Sequence, residues 1–159
     1  MSKYYLAVNP HGGLKKGLGI LEKVKPVFEN AGAELTILET EYAGHARNMA
    51  RTVEIGGYDG FCAIGGDGTM HEVVNGMMNR EDGHKLPIGL VTGGTGNSLM
   101  HDLDCLDPVN AAKRIITNRR RPIDLDRVNA NGEILYAFNI VGWGMPTDIN
   151  IIAEKMRWL

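Results

Sequence analysis

One carboxylate lies among three glycines in the segment Gly65-Gly66-Asp67-Gly68-Thr69. An apolar run at residues 61–64 precedes this segment, and a run with helical periodicity begins at Met70. The order predicts a strand, a tight turn and a helix, with Thr69 as the helix N-cap and Glu72 as its capping-box partner. Glycine lets the backbone approach a ligand closely, and free N–H groups at a helix N-terminus attract phosphate. The turn is therefore predicted to bind phosphate beside a carboxylate.

Two further glycine loops follow predicted strands. Asn9-Pro10-His11-Gly12-Gly13 ends the first strand, and Gly93-Gly94-Thr95-Gly96-Asn97 ends the fourth. Each loop alone could be a tight turn, but parallel strands end at one sheet edge, where α/β proteins bind ligands. Three such loops together therefore favour a common ligand. The spacing of the P-loop and of the Rossmann fingerprint is absent, so neither of those sites is predicted.

Strand and helix patterns alternate over the first 120 residues. The predicted strands are residues 4–8, 34–39, 61–64 and 87–91, and the predicted helices are residues 17–30, 45–55, 70–79, 98–103 and 107–116. Pro26 should kink or split the first helix. Asp107 and Pro108 are suited to the N-cap and first position of the last helix. This alternation predicts an α/β fold with a parallel sheet and helices on both faces.

The pattern changes after Arg121. Residues 123–128 and 134–141 alternate with a period of two around a turn at residues 129–132, which predicts an antiparallel hairpin. We expect a nucleotide-binding domain at residues 1–120, followed at residues 121–159 by the opening strands of a truncated β-rich second domain. A small complete domain that docks the hairpin on the sheet is the alternative.

Composition narrows the function classes. The chain has 159 residues and a net charge of −2, so no basic field predicts nucleic-acid binding. The run Arg119-Arg120-Arg121 is short and typical of a solvated helix end, with a membrane-surface patch as the weaker alternative. The two cysteines, Cys62 and Cys105, form no disulfide framework, which predicts a reducing, cytoplasmic setting. The histidines show no metal-ligand spacing.

Asp67 is the candidate catalytic residue. A carboxylate within hydrogen-bond reach of an alcohol can accept its proton and make the oxygen a better nucleophile. Phosphoryl transfer depends mainly on positioning and charge stabilisation, which suit backbone amides, one base and a metal ion. A turn residue that binds its own backbone is the alternative for Asp67. Glu72 is either half of the capping box or a group near a Mg²⁺ ion.

These residues resemble the catalytic domain of the diacylglycerol, sphingosine and ceramide kinases. The resemblance rests on the segment at residues 65–69 with Glu72 and Asn75, and on the Asn9 loop. It extends to Thr40 with Gly44-His45-Ala46 and to residues 87–97, in the family's order. NAD kinases and phosphofructokinases carry a similar glycine-aspartate turn, whereas Thr95-Gly96-Asn97 is typical of the lipid kinases.

The resemblance implies a phosphofructokinase-like nucleotide domain that uses ATP and Mg²⁺ to phosphorylate a lipid hydroxyl, with Asp67 as the base. It also implies a set of residues around the nucleotide: Asn9, Pro10, Gly12, Gly13, Thr40, Gly65, Gly66, Gly68, Thr69, Glu72, Gly94, Thr95, Gly96, Asn97 and Arg157. On the substrate side it implies Asp148, Asn150 and Glu154.

One departure concerns the acceptor. Sphingosine kinases carry an aspartate where this chain has Asn150, and an amide forms no ion pair with a lipid ammonium. Ceramide, diacylglycerol or another neutral lipid therefore fits as well as sphingosine. The expected partners are a lipid substrate and, transiently, a membrane surface, so a cytoplasmic protein at the membrane periphery is predicted. A homodimer is left open. The alternative functions are a non-catalytic nucleotide-binding fragment and a NAD kinase.

Overall fold

Four parallel strands form the central sheet. A computed structural model of the chain describes residues 1–10, 16–95, 97–139 and 141. The strands are β1 (Lys3–Val8), β2 (Glu34–Glu39), β3 (Gly60–Gly65) and β4 (Ile88–Thr92). Their order across the sheet is β2-β1-β3-β4, and every neighbouring pair is parallel. The predicted parallel sheet is confirmed.

Helices cover both faces of this sheet. They are α1 (Gly17–Asn30), α2 (His45–Thr52), α3 (Asp67–Met78), α4 (Ser98–Asp102) and α5 (Pro108–Ile116). Side chains alternate across β1, so Leu6 packs in one core with α1 and α5, whereas Tyr5 packs in the other with α2 and α3. The α/β prediction with helices on both faces is therefore confirmed.

α1 has its predicted bounds, whereas α2 is shorter than predicted. α1 is one continuous helix with Pro26 on its exposed side, so the predicted split is wrong, and the kink stays a prediction. Val24 and Phe28, both fully buried, flank the proline and hold the helix against the sheet. α2 ends at Thr52 rather than at Ile55, and Val53 is already extended. Arg80 donates hydrogen bonds of 3.0 Å to the carbonyl oxygens of Ala50 and Val53, which have no helical partner because α2 ends here.

α5 begins as its sequence predicts. The Asp107 side chain caps it by accepting a 2.7 Å hydrogen bond from the Asn110 N–H, and Pro108 occupies its first position. None of the helices among the described residues is long and apolar enough to cross a membrane.

A two-stranded antiparallel sheet follows, formed by β5 (Asp126–Ala130) and β6 (Glu133–Ala137). The predicted hairpin is confirmed, but its first strand begins later and its turn is shorter than predicted. Asn131 and Gly132 both have positive φ angles, of 54° and 91°, as a two-residue type I′ turn requires. Residues 129 and 130 consequently belong to the strand.

Asn75 joins this hairpin to α3. The Asn75 side chain is completely buried, donates a 2.8 Å hydrogen bond to the Tyr136 carbonyl oxygen and accepts one of 2.8 Å from the Tyr136 N–H. An ion pair between Arg47 and Glu133, 3.1 Å long, lies beside it. The hairpin thus packs on the helix layer through α3. The division of domains after residue 120 stays a prediction.

Replacement of Asn75 tests this junction. We expect Asn75→Ala to lower the free energy of unfolding by about 1–3 kcal/mol, because it leaves two backbone groups of Tyr136 without partners. Urea denaturation followed by circular dichroism measures the change. Asn79→Ala is the matched control, since Asn79 is exposed. Among the described residues its side chain binds only the Asn75 carbonyl oxygen, at 2.9 Å. Equal losses in the two variants would contradict the role of Asn75.

Candidate active site

The loops after β3 and β4 touch through their backbones. Gly93 donates a 2.8 Å hydrogen bond to the Gly65 carbonyl oxygen. A Cβ atom added to Gly66 would lie 2.9 Å from the Gly94 Cα atom, and one added to Gly94 would overlap Gly66 in turn. Glycine is therefore needed at both positions for the two loops to meet, and the structure brings these predicted site residues together.

The loop after β1 begins at the same edge. The Asn9 N–H donates a 3.4 Å hydrogen bond to the Ile64 carbonyl oxygen, which places Asn9 and Pro10 next to the end of β3. Several predicted site residues lie outside the described residues: Gly12, Gly13, Gly96, Asp148, Asn150, Glu154 and Arg157. Their roles stay predictions.

α3 begins at Asp67, with Gly66 as its N-cap. The predicted N-cap, Thr69, is wrong: this residue lies in the first turn, and its side chain packs over Gly65. Among the described residues, no side chain accepts a hydrogen bond from the N–H groups of Asp67, Gly68 or Thr69. These amides carry the positive end of the helix dipole and can bind an anion.

The Asp67 carboxylate reaches the start of α4. Oδ2 accepts hydrogen bonds from the Ser98 N–H, at 2.8 Å, and from the Ser98 hydroxyl, at 2.9 Å. Oδ1 accepts a longer bond, of 3.5 Å, from the Leu99 N–H. The carboxylate is therefore held in one orientation, and its Oδ1 atom is the less occupied oxygen.

Asn97 shapes the loop between β4 and α4. Its side chain is 8% exposed, and it accepts a 3.1 Å bond from the Gly94 N–H and donates a 2.7 Å bond to the Gly94 carbonyl oxygen. Its own backbone has a positive φ of 53°, a conformation that asparagine tolerates better than most residues. Asn97 thus fixes Gly94 against Gly66, while the neighbouring Thr95 is exposed.

Glu72 caps α2, not its own helix. Its two carboxylate oxygens accept hydrogen bonds from the Gly44 N–H, at 2.9 Å, and from the Ala46 N–H, at 3.2 Å. The predicted capping box with Thr69 is therefore wrong, because the Glu72 side chain points to the neighbouring helix. Each Glu72 oxygen thus already accepts one backbone hydrogen bond, and the role predicted for Glu72 near a Mg²⁺ ion stays a prediction. No cluster of three acidic, histidine or cysteine side chains exists in the described ranges.

His71 and Thr40 lie near Glu72 and the end of β1, and their surroundings within the protein are as follows. Burial, reinforced by the positive charge of Arg47, lowers the pKa of His71, and nearby Glu72 offsets part of this. Thr40 is buried, and its hydroxyl donates a 3.3 Å bond to the Val8 carbonyl oxygen, which ties the ends of β1 and β2 together. The role predicted for Thr40 at the nucleotide stays a prediction.

A cleft of about 390 Å³ opens beside the loop after β4. Its described lining residues are Lys16, Ile20, Thr92, Gly93, Gly94, Thr95, Asn97, His101 and Leu106. Lys16 and His101 contribute cationic or protonatable groups that sequence analysis missed, as it missed the Ser98 donors. Lys16 could have been found as the basic residue between the first glycine loop and α1.

Comparison with known proteins identifies the family. The diacylglycerol kinase catalytic domain matches residues 3–128, and the chain belongs to this family. Sphingosine kinase 1 of Arabidopsis thaliana is 39% identical over 168 residues, which cover 99% of this chain and 34% of that protein. Sphingoid long chain base kinase 4 of Schizosaccharomyces pombe is 33% identical, over 99% of this chain and 35% of that protein.

A solved structure agrees with this assignment. The crystal structure of a diacylglycerol kinase from Bacillus anthracis str. Sterne has a TM-score of 0.69 and 29% identity, over 84% of this chain and 45% of that chain. The resemblance predicted from the glycine loops is confirmed. This chain spans about a third of the length of the two curated relatives described above.

Replacement of Gly94 tests the contact between Gly66 and Gly94. Gly94→Ala should lower the free energy of unfolding by about 1–3 kcal/mol, because a Cβ atom 2.9 Å from the Gly66 nitrogen forces the loops apart. Gly68→Ala is the matched control, since a Cβ atom there meets nothing within 4 Å and alanine favours the helix. Thermal denaturation compares the variants. A Gly94→Ala protein as stable as Gly68→Ala would show that the loops do not need this contact.

Proposed function

We propose that the chain is the nucleotide-binding part of an ATP-dependent lipid kinase, which transfers the γ-phosphate of ATP to a lipid hydroxyl. The observation that supports this proposal most is at the start of α3. There the Asp67 carboxylate adjoins N–H groups that have no side-chain partner among the described residues. A phosphate needs such donors, and an attacking hydroxyl needs such a base. Family membership supports this proposal over a NAD kinase.

Asp67 is proposed to accept the proton of the lipid hydroxyl. As the hydroxyl oxygen bonds to the γ-phosphorus, the bond to the β-phosphate oxygen breaks and ADP leaves. The proton passes to Asp67, and Oδ1 suits this role because its one hydrogen bond, to Leu99, is 3.5 Å long. The two donors of Ser98 hold Oδ2 and so keep the carboxylate aligned.

The glycines are proposed to bring the phosphates close to the backbone. Gly66, Gly68, Gly93 and Gly94 present no side chain between the nucleotide and the main chain. Lys16 is suitably placed in the adjoining cleft to offset phosphate charge. Mg²⁺ would arrive with ATP, because this ion prefers phosphate and water oxygens with one or two carboxylates, and it would neutralise charge on the phosphates.

For the acceptor we propose a class of lipid and no single compound. The curated relatives described above are named as kinases of sphingosine or sphingoid bases, and the structural neighbour as a diacylglycerol kinase. We infer a long-chain lipid alcohol met transiently at a membrane surface, with residues beyond 120 opening a second domain that helps to hold it. The alternative function is a nucleotide-binding unit without turnover.

Substitution of Asp67 tests the catalytic role. We expect Asp67→Asn to reduce turnover about 10²–10⁴-fold, the usual contribution of a general base. ATP affinity should change little, because an asparagine oxygen can still accept a hydrogen bond from Ser98. Transfer of labelled phosphate from ATP to sphingosine, ceramide and diacylglycerol, with Mg²⁺ present, measures turnover, and calorimetry measures ATP binding.

Asp102→Asn is the control, because Asp102 is an exposed carboxylate at the other end of α4. Unchanged turnover in Asp67→Asn would remove Asp67 from the base role. ATP binding without phosphorylation of any lipid would contradict the kinase proposal for this chain and support the non-catalytic alternative.

A further inference from the structure

Ser98 places a hydroxyl group against the carboxylate of Asp67. Its Oγ atom donates a 2.9 Å hydrogen bond to Oδ2 of Asp67, and Ser98 is exposed. A hydroxyl within hydrogen-bond reach of a base, with the base held in place by further groups, is the arrangement typical of an activated nucleophile. Here the backbone N–H groups of Ser98 and Leu99 hold the base, at 2.8 Å and 3.5 Å. Ser98 and Asp67 therefore have the geometry of a nucleophile and its base.

The Ser98 oxygen keeps its lone pairs for an attack. A serine hydroxyl has one proton to donate and two lone pairs, and Ser98 donates its proton to Asp67. Within the described part of the chain, no group donates a hydrogen bond to this oxygen, and no other hydroxyl binds Asp67. Thr69, in the first turn of α3, packs over Gly65 instead. Ser98 is therefore the hydroxyl that the Asp67 carboxylate is placed to deprotonate.

The glycine loops hold Ser98 beside the proposed phosphate site. Asp67 is the first residue of α3, so its partner Ser98 lies next to the helix end whose N–H groups are proposed to bind phosphate. The 2.8 Å hydrogen bond from Gly93 to Gly65 joins the loop before α4 to the end of β3. A reactant that is held in place reacts as if it were highly concentrated, with effective molarities of up to about 10⁵–10⁸ M. Ser98 has this advantage, which a diffusing alcohol lacks.

We propose that the chain transfers the γ-phosphoryl group of ATP to its own Ser98. This reaction rests on the proposed function, because it uses the same phosphate site and the same base. The Ser98 Oγ atom bonds to the γ-phosphorus, while the bond from that phosphorus to the β-phosphate oxygen breaks. The hydroxyl proton passes to Oδ2 of Asp67, and ADP leaves. The product is one phosphoserine per chain, and no lipid is needed.

Incorporation of phosphate into the chain itself tests the proposal. The purified chain is incubated with Mg²⁺ and ATP labelled in its γ-phosphate, without lipid, and mass spectrometry of its peptides locates the bound phosphate. We expect one phosphate per chain, on Ser98. The fraction labelled per unit time should not depend on protein concentration, because acceptor and base belong to one chain. A rate that rises with protein concentration, or phosphate on another residue only, overturns the proposal.

Two substitutions at Ser98 separate the chemistry from folding. Ser98→Ala removes the acceptor oxygen, so phosphate at this position should be lost, although the backbone N–H can still bind Asp67. Ser98→Thr keeps a hydroxyl at the same place and should still take up phosphate there. Thermal denaturation checks that both variants fold. A folded Ser98→Ala chain that takes up as much phosphate as the unaltered chain overturns the proposal.

Variants at the base and away from it complete the set. Asp67→Asn should slow the labelling of Ser98 about 10²–10⁴-fold, the usual contribution of a general base. Thr117→Ala is the matched control, because it removes an exposed hydroxyl that binds the Arg114 carbonyl oxygen, at 2.7 Å, after α5. This control should be labelled as fast as the unaltered chain. Equal labelling of Ser98 in the Asp67→Asn variant would contradict the role of Asp67 as its base.

Parallel assays distinguish self-phosphorylation from the proposed function. Calorimetry measures ATP binding, and the lipid assay described above measures transfer to lipids. ATP binding and lipid phosphorylation without phosphate on Ser98 overturn self-phosphorylation alone. Phosphate on Ser98 without any phosphorylated lipid supports self-phosphorylation and contradicts only the lipid acceptor. A chain that does not bind ATP overturns both.

Discussion

The candidate site depends on the N–H groups at the start of α3, from which no side chain among the described residues accepts a hydrogen bond. The two carboxylates of this helix accept hydrogen bonds from neighbouring helices: Asp67 from the start of α4, and Glu72 from the start of α2. An anion at the start of α3 would therefore meet the backbone N–H groups of this helix. The two acidic side chains of α3 bind the neighbouring helices α2 and α4. This arrangement makes α3 the element that neighbouring helices contact, and its N-terminus is the phosphate site that we propose.

The same helix carries the packing that keeps the loops in place. Gly76 brings α3 so close to α2 that a Cβ atom there would overlap the Arg47 carbonyl oxygen and lie 2.9 Å from the Ala50 Cβ atom. Asn75, one residue earlier, holds β6. A shift of α3 would therefore disturb the hairpin, α2 and the glycine loops together, so local packing and the geometry of the site are physically linked.

The sequence predicted the sheet because its strands are continuous apolar runs and its helices have clear periodicity. It also located the glycine loops, whose meeting follows from parallel strands that end at one edge. Glu72 and Asp67 show what the sequence could not predict. Local spacing suggested a capping box of Thr69 and Glu72 within α3. The carboxylates of Glu72 and Asp67 instead bind residues 26 to 32 positions away in the chain.

The most direct measurement is titration of the ¹⁵N-labelled chain with ATP and Mg²⁺, followed by the amide resonances. If phosphate binds at the free end of α3, the N–H signals of Gly66, Gly68 and Thr69 should shift saturably, and those of Asn131 and Gly132 in the hairpin turn should not. Saturating ATP that leaves the signals of Gly66, Gly68 and Thr69 in place would contradict the assignment of this helix end as the phosphate site.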